Sequence, residues 1–389
     1  MGKKSPAMNS RERVIAAIEH KPVDRVPLML WIEPRTMLNM AREYRKPRNQ
    51  LDRAAARLIG RLSRDLPRED LRNGAVLLIR AMEERYVREL GADIAEFQWG
   101  PFALWLRGAR IEKGNVHFKD MYGNVHGFGE SGMEQSKKQC LTAKELDRYR
   151  FPDVSSPIYY NHFRAYRALH PDVCLSARCP GVLDWGMVWQ GIEQIYAGLI
   201  EYPDVVKRFF DRVAEHSIQI IRGSLKAGAD MMMIADDYGD QRSLMISKPM
   251  WEEFIYPGLR RQIEAVHEYG GKALLHSCGT VAPLLDRFAE AELDALHPFQ
   301  SLPGNDLAEA KKNYGGRLAF FVGIDVQRMP DMPPDAVRDE IIRLYRIGNR
   351  GGGMVFATAN YMMPDTPVEN IRIMFKTIRD IQEGRVPSE

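Results

Sequence analysis

The 389-residue sequence has few cysteines, no long apolar run and almost no excess charge of either sign. Four cysteines are too few for a disulfide framework, which favours a reducing cytoplasm. No apolar run approaches the roughly 20 residues of a membrane-spanning helix, and no apolar stretch follows Lys3 and Lys4 as in a secretory signal. Because nucleic-acid binding needs clustered positive charge, a net charge of +3 disfavours it. We therefore expect a cytoplasmic protein that binds neither nucleic acid nor membrane.

Short apolar runs alternate with amphipathic helical patterns through the last two thirds of the chain, which predicts parallel β/α units. Six strands are predicted there, at residues 173–177, 229–235, 273–276, 293–297, 318–322 and 354–357. A strand at 26–31 and another near Ile94 bring the total to eight. No G-x-G-x-x-G motif follows a strand, as a dinucleotide-binding fold would require. The sequence predicts an α/β fold, a (β/α)8 TIM-type barrel forming a single domain over residues 1–389.

The first third of the chain departs from this regular pattern. Residues 1–8 are expected to be disordered, and Asn9 or Ser10 is expected to cap a short first helix. Residues 35–150 are predicted to be rich in insertions, mostly helical at first and then Gly-rich with alternating aromatics, which is typical of irregular strands or hairpins. The barrel is therefore expected to carry its helical and irregular insertions before residue 150.

Polar side chains follow the predicted strands directly, where the active site of such a barrel lies. His276 and Cys278 follow one strand at the spacing H-x-C, and an imidazole and a thiolate on one turn can bind Zn²⁺. A hydrogen-bonded histidine beside a small buried cysteine is the alternative interpretation. A third ligand is required, and Asp237, Cys179 and Asn360 are the candidates. The sequence thus predicts a zinc site whose third ligand stays open.

Two adjacent aspartates, Asp236 and Asp237, follow the apolar strand that ends at Ala235. Successive residues of an extended segment point to opposite faces, so only one of the two can face the barrel mouth. The other is expected to cap a helix or to pair with an arginine, and both are kept with His276 as candidate catalytic residues. The candidate substrate-binding residues are Arg35, Trp185, Gln300, Asn360 and Tyr361.

Two of these substrate-binding candidates have simple structural alternatives. Gln300 can instead cap the start of a helix. Trp185 either packs in the core or lines a flat pocket for an aromatic or tetrapyrrole-like ligand. Both alternatives stay open at this point.

Motifs along nearly the whole chain resemble the uroporphyrinogen decarboxylase superfamily. They are R-E-R-V at 11–14, D-R-V-P at 24–27, L-H-S-C-G at 275–279, H-P-F-Q at 297–300, G-I-D-V-Q at 323–327 and P-D-T-P-V-E-N-I at 364–371. The resemblance implies a distorted (β/α)8 barrel with its active site in the barrel mouth. One branch of the superfamily holds the uroporphyrinogen decarboxylases. The other holds corrinoid-dependent methyltransferases, both methylcobamide:coenzyme M methyltransferases and those of O-demethylase systems.

Departures from the decarboxylase pattern favour the methyltransferase branch. The segment that supplies arginines after the first strand of decarboxylases has one arginine here, Arg35, near Glu33, which would repel a substrate with many carboxylates. Asn360 stands where their pocket histidine falls. The coenzyme M enzymes bind zinc through H-x-C and a distant cysteine. His276 and Cys278 match the first two of these ligands, and Asn360 takes the place of the third.

The resemblance therefore implies a zinc-assisted methyltransferase that moves a methyl group between a small donor or thiol acceptor and a corrinoid. Because the chain lacks the D-x-H-x-x-G motif of a corrinoid module, the corrinoid is expected on a separate partner protein. A tryptophan-rich, apolar mouth suits a weakly charged donor such as a methoxylated aromatic. A cofactor-free carboxy-lyase and a non-catalytic tetrapyrrole- or corrinoid-binding protein are the alternatives, and a homodimer is compatible with each.

Overall fold

Parallel strands form a nearly closed barrel in the computed structural model, which describes residues 7–33, 36–37, 40, 87–98, 110–112, 115–119, 121–122, 124–129, 132–137 and 142–387. In chain order the strands are β1 (Leu28–Met29), β2 (Ile94–Gln98), β3 (Arg110–Glu112), β4 (Asn115–Lys119), β5 (Val125–Gly129), β6 (Gly132–Lys137), β7 (Cys174–Pro180), β8 (Met231–Ala235), β9 (Lys272–His276), β10 (Ala295–Gln300), β11 (Ala319–Ile324) and β12 (Met354–Thr358). Eight of them form the barrel, in the order β1-β12-β11-β10-β9-β8-β7-β2. The predicted fold class is confirmed.

Helices connect the strands and cover the barrel. They are α1 (Ser10–Ile18), α2 (Ala143–Arg148), α3 (Asn161–Leu169), α4 (Val182–Gln190), α5 (Ile192–Glu201), α6 (Pro203–Lys226), α7 (Lys248–Phe254), α8 (Tyr256–Glu268), α9 (Leu285–Glu290), α10 (Leu307–Tyr314), α11 (Pro334–Gly348) and α12 (Val368–Gln382). Short 3-10 turns lie at Pro157–Tyr160, Ala282–Leu284 and Met329–Asp331. Among the described helices, none combines the length and the apolar character that crossing a membrane requires.

The insertion before residue 150 contributes a second sheet in its described part. Strands β3 to β6 pair antiparallel in sequence order, as hairpins do. This agrees with the irregular strands or hairpins expected from the sequence. Arg35, a predicted substrate-binding residue, lies outside the described residues.

Side chains of the barrel strands alternate between two cores, because successive residues of a strand point to opposite faces. Met231 on β8 and Leu274 on β9 fill the barrel interior. Their neighbours Met232 and Leu275 pack outward among the side chains of the surrounding helices. A residue's place in this alternation therefore decides whether its side chain can reach the barrel mouth.

Asp93 closes the seam between β1 and β2 at the amino-terminal end of the barrel. Its backbone N–H donates to the Leu28 carbonyl at 2.8 Å, and its carboxylate accepts the Leu28 N–H at 3.0 Å. The same carboxylate, which has no exposed surface, accepts hydrogen bonds from Arg13 and Arg25 at 2.7 Å each. Helix α1, which carries Arg13, also packs Val14 against the barrel interior. One buried carboxylate thus joins two strands and the first helix.

Met8 belongs to the same end of the barrel. Its backbone N–H donates to Asp24 at 3.0 Å, and its carbonyl accepts a hydrogen bond from Arg13. The expectation of disorder is therefore wrong at Met8, because Asp24 and Arg13 hold its backbone. Residues 1–6 lie outside the described part of the chain.

Replacing Asp93 with alanine is expected to lower the free energy of unfolding by about 3–5 kcal/mol, as when one partner of a buried ion pair is removed. The change also leaves the Leu28 N–H without its acceptor. Urea unfolding followed by circular dichroism measures the effect. Asp147→Ala is the control, because Asp147 pairs with Arg208 on the exposed surface and should cost less than about 1 kcal/mol. Similar losses for the two variants would contradict the role given to Asp93.

Candidate active site

Three ionisable side chains converge at the carboxyl ends of β8 and β9. The two strands pair in parallel with Ala235 opposite His276. Asp237 lies two residues after Ala235, and Cys278 lies two residues after His276. Their side chains therefore point to the same face of the sheet as that of His276. One donor atom from each of Asp237, His276 and Cys278 lies within 4.8 Å of the other two. Register therefore brings a carboxylate, an imidazole and a thiol to one place in the barrel mouth.

The spacing of these donor atoms fits a tetrahedral zinc site. His276 Nε2 lies 3.5 Å from Cys278 Sγ and 3.7 Å from Asp237 Oδ1. Zinc–ligand bonds of about 2.0–2.3 Å place neighbouring ligand atoms of a tetrahedral shell about 3.3–3.8 Å apart. Nitrogen, sulfur and carboxylate oxygen are all zinc ligands. Within the ranges that the structure describes, no other group of three His, Cys, Asp or Glu side chains comes this close together.

His297 forms a hydrogen bond with the second ring nitrogen of His276, Nδ1. The two Nδ1 atoms are 2.8 Å apart, and both side chains are buried. Trp31 packs against both rings, with centroid distances of 4.9 Å to His276 and 4.7 Å to His297. Burial lowers the pKa of both imidazoles, to about 3 for His297, so both rings are neutral near pH 7. When His276 donates its Nδ1 proton to His297, its Nε2 lone pair faces Cys278 and Asp237.

Cys278 lies in a turn that only glycine can complete. Gly279 has φ +80°, and a Cβ there would lie 2.3 Å from the Gly239 carbonyl oxygen. Gln300 accepts the Gly279 N–H at 2.6 Å and is only 2% exposed. Gln300 therefore supports the turn from inside the protein, and the substrate-binding role predicted for it stays a prediction.

The thiol of Cys278 has two polar neighbours besides His276. Asp237 accepts the Cys278 backbone N–H at 2.8 Å, and Asn360 places its side-chain nitrogen 3.5 Å from Sγ. Burial, followed by the nearby charge of Asp237, raises the pKa of the thiol to about 12. Burial also raises the pKa of Asp237. In the metal-free protein Cys278 is therefore a neutral thiol at pH 7.

Asp236 points away from the mouth and caps helix α4. Its carboxylate accepts the backbone N–H groups of residues 182–184 at 3.0, 3.3 and 2.6 Å, and the Tyr238 hydroxyl at 2.8 Å. Burial raises the pKa of Asp236, while the hydrogen bonds that it accepts oppose this rise. Asp236 thus takes the helix-capping place that the sequence analysis expected of one of the two aspartates, because alternation along the extended segment turns its side chain outward, away from the catalytic position predicted for it.

Two further predicted residues lie apart from the three donor atoms. Cys179 is 1% exposed in the outer core. On β7 the position beside it, Arg178, faces the barrel interior, so the Cys179 side chain points outward and cannot be the third ligand. The Trp185 ring contacts Tyr122 at 4.4 Å, which supports its core alternative. Tyr361, by contrast, stacks on Trp31 at 5.3 Å, beside the histidine pair.

The structure adds two charged residues that the sequence analysis missed. Arg178 lies over the Trp31 ring at 5.0 Å, and its charge opposes the rise in the pKa of Asp237 that burial causes. Asp184 lies in the first turn of α4, where burial and then repulsion by Asp237 raise its pKa to about 6. The signal for Arg178 was available, because it lies four residues after Cys174, an interior residue of the same strand. An arginine in the interior register of a barrel strand faces the mouth.

A parallel barrel with ionisable side chains at the carboxyl ends of its strands is the architecture of a (β/α)8 enzyme. Residues 127–381 match the family Uroporphyrinogen decarboxylase (URO-D), and this stretch is well over half of the chain. The chain therefore belongs to the URO-D family, as its motifs predict.

Relatives in the family include both decarboxylases and methyltransferases. The chain is 21% identical to uroporphyrinogen decarboxylase of Coxiella burnetii over 187 residues, 47% of this chain and 50% of that protein. It is 25% identical to methylcobamide:CoM methyltransferase MtaA of Methanosarcina barkeri over 237 residues, 60% of this chain and 65% of that protein. These matches span about half to two thirds of the relatives' length. A solved methyltransferase from Methanosarcina mazei shares the fold, with a TM-score of 0.65 at 18% identity over 96% of this chain and 99% of that chain.

The adjacent aspartates are expected to differ in their effect on stability. Asp236→Ala removes a helix cap and leaves buried N–H groups without an acceptor, so it should lower the free energy of unfolding by about 2–4 kcal/mol. Asp237→Ala removes a partly exposed side chain and should cost about 1 kcal/mol or less. Urea unfolding of the metal-free variants measures both. Equal losses, or a larger loss for Asp237→Ala, would contradict the orientation described here.

Proposed function

We propose that this protein is a corrinoid-dependent methyltransferase with a zinc site formed by Asp237, His276 and Cys278. It would move a methyl group between a small donor or thiol acceptor and a corrinoid carried by a separate protein. The observation that carries the proposal is the convergence of these three donor groups in the barrel mouth, within 4.8 Å of one another. Similarity to the methyltransferase of Methanosarcina barkeri supports the reaction class.

Three protein ligands would leave room for the substrate at the metal. Zinc bound there would supply Lewis acidity, which activates a thiol or polarises an ether or alcohol oxygen of a methyl donor. His276 would contribute a neutral nitrogen, while Asp237 and Cys278, deprotonated on metal binding, would contribute negative charge. Two anionic ligands balance the charge of the ion, so the buried mouth can hold it without further carboxylates.

Other residues of the mouth orient the ligands. The hydrogen bond between His297 and His276 fixes the imidazole ring, as an outer partner of a metal ligand does. The Asp237 carboxylate accepts the Cys278 N–H, so the two proposed ligands constrain one another.

Zinc content tests the ligand set directly. Protein purified without chelator is expected to hold about one Zn²⁺ per chain, and His276→Ala, Cys278→Ala and Asp237→Ala should each lose it. Cys179→Ala is the matched control, because it removes a cysteine from the outer core of β7. Metal analysis by mass spectrometry gives the ratio. If Asp237→Ala keeps its zinc while Cys179→Ala loses it, Asp237 is not the third ligand.

Methyl transfer tests the reaction. Incubation with a Co(I) corrinoid protein and methoxylated aromatic donors should give the absorbance of methyl-Co(III). His276→Ala should slow its formation more than about 100-fold, because Lewis-acid stabilisation worth several kcal/mol is lost. His267→Ala is the control, since His267 pairs with Asp294 outside the mouth. Conversion of uroporphyrinogen III to coproporphyrinogen, without methyl transfer, would instead support the carboxy-lyase alternative.

A further inference from the structure

An open cavity of about 340 Å³ lies on the outside of the barrel, between helix α6 and the segment that follows α2. Volumes of roughly 300–1,000 Å³ are typical of small-molecule sites. Arg212 lines the cavity from α6, while Arg150, Phe151 and Pro152 line it from the segment. All of its lining residues belong to these two stretches of chain, so the cavity is separate from the barrel mouth.

The two arginines of this cavity have no carboxylate partner. In the part of the chain that the structure describes, neither Arg150 nor Arg212 forms an ion pair, and both donate to backbone carbonyls instead. Arg150 reaches the carbonyls of residues 148 and 149 at 3.2 Å, and Arg212 reaches that of Leu146 at 2.5 Å. The Nε of Arg212 is buried and has no acceptor in the same ranges. Each guanidinium therefore keeps N–H groups that an anionic ligand can use.

The two positive charges also repel one another. Burial lowers the pKa of Arg212. Asp147 opposes this lowering, but its carboxylate pairs with Arg208 at 2.8 Å. The charge of Arg150 lowers the pKa of Arg212 further. A partly buried guanidinium beside a second cation is costly unless an anion offsets the charge, so a bound anion would relieve the repulsion in the cavity.

Two carboxylates line the cavity, and neither is paired with its two arginines. Glu215 pairs with Arg261 at 2.8 Å. Asp153 accepts the backbone N–H of Ser155 at 2.9 Å and is exposed to solvent, which screens its charge. The charge left without a partner inside the cavity is therefore positive.

A phosphate group fits two guanidinium groups better than a carboxylate does. One guanidinium occupies both oxygens of a carboxylate in a bidentate pair. A phosphate monoester has three acceptor oxygens and a charge of about −1.5 to −2 at pH 7, which two guanidinium groups can share. Phe151 and Pro152 add apolar surface beside the arginines, and this surface suits an organic substituent on the phosphate.

We propose that this cavity binds a small organic phosphate monoester through Arg150 and Arg212. The organic part of the ligand would pack against Phe151. The proposal does not depend on the methyl transfer proposed above, because no lining residue of the cavity belongs to the proposed zinc site.

Calorimetric titration of the full-length protein with phenyl phosphate, and with neutral benzyl alcohol, tests the proposal. Phenyl phosphate is expected to bind at least about tenfold more tightly than benzyl alcohol, because its phosphate pairs with both guanidinium groups. Arg150→Gln and Arg212→Gln should each raise the Kd of phenyl phosphate about 10–100-fold. Arg222→Gln is the matched control and should leave this Kd unchanged. Arg222 lies on the same helix but outside the cavity, over the Tyr269 ring at 5.5 Å.

Equal binding of the two probes, or a Kd of phenyl phosphate that neither Arg150→Gln nor Arg212→Gln changes, would overturn the proposal. If Arg212→Gln does not fold, Arg150→Gln decides, since Arg150 is exposed and donates only to backbone carbonyls. Tighter binding of benzoate than of phenyl phosphate would contradict the assignment to a phosphate. Inorganic phosphate that binds as tightly as phenyl phosphate would contradict the apolar contact. Loss of binding in Arg178→Gln would place the phosphate in the barrel mouth instead of the cavity.

Discussion

The parallel register of β8 and β9 is the constraint on which the candidate site depends. With Ala235 opposite His276, the residues two positions further along both strands face the mouth. A shift of one residue would turn the Asp237 side chain outward and bring Asp236, which now caps helix α4, into the mouth instead. The donor set is therefore a consequence of strand pairing, which the apolar interior and exterior positions of each strand enforce.

The two ends of the barrel carry different tasks. At the amino-terminal end, the Asp93 carboxylate accepts hydrogen bonds from β1 and from two arginines, so Asp93 contributes to the stability of the fold. At the carboxyl end, Asp237, His276 and Cys278 bring one donor atom each within 4.8 Å of one another. Asp236 links the two tasks, because it fixes helix α4 beside the site. This division of labour is general in (β/α)8 enzymes.

The sequence predicted the barrel well, because each strand is a short apolar run between amphipathic helices. It did not predict the helix break at Ile255, where Pro257 opens α8 and cannot donate the hydrogen bond that would continue α7. The H-x-C pair could be predicted from local spacing, but the third ligand could not. Placing Asp237 beside this pair and Cys179 away from it required the register of β7 and β8. Arg178 belongs to no motif, and only its interior register, four residues after Cys174, indicates its position.

Membership of the URO-D family leaves two chemistries open, decarboxylation and methyl transfer. Zinc X-ray absorption spectroscopy of the purified protein is the measurement that tests the central claim most directly. The proposed ligands should give one sulfur scatterer at about 2.3 Å, from Cys278, with nitrogen and oxygen scatterers at about 2.0–2.2 Å. A second sulfur, or a bound zinc with no sulfur, would contradict a site made of Asp237, His276 and Cys278.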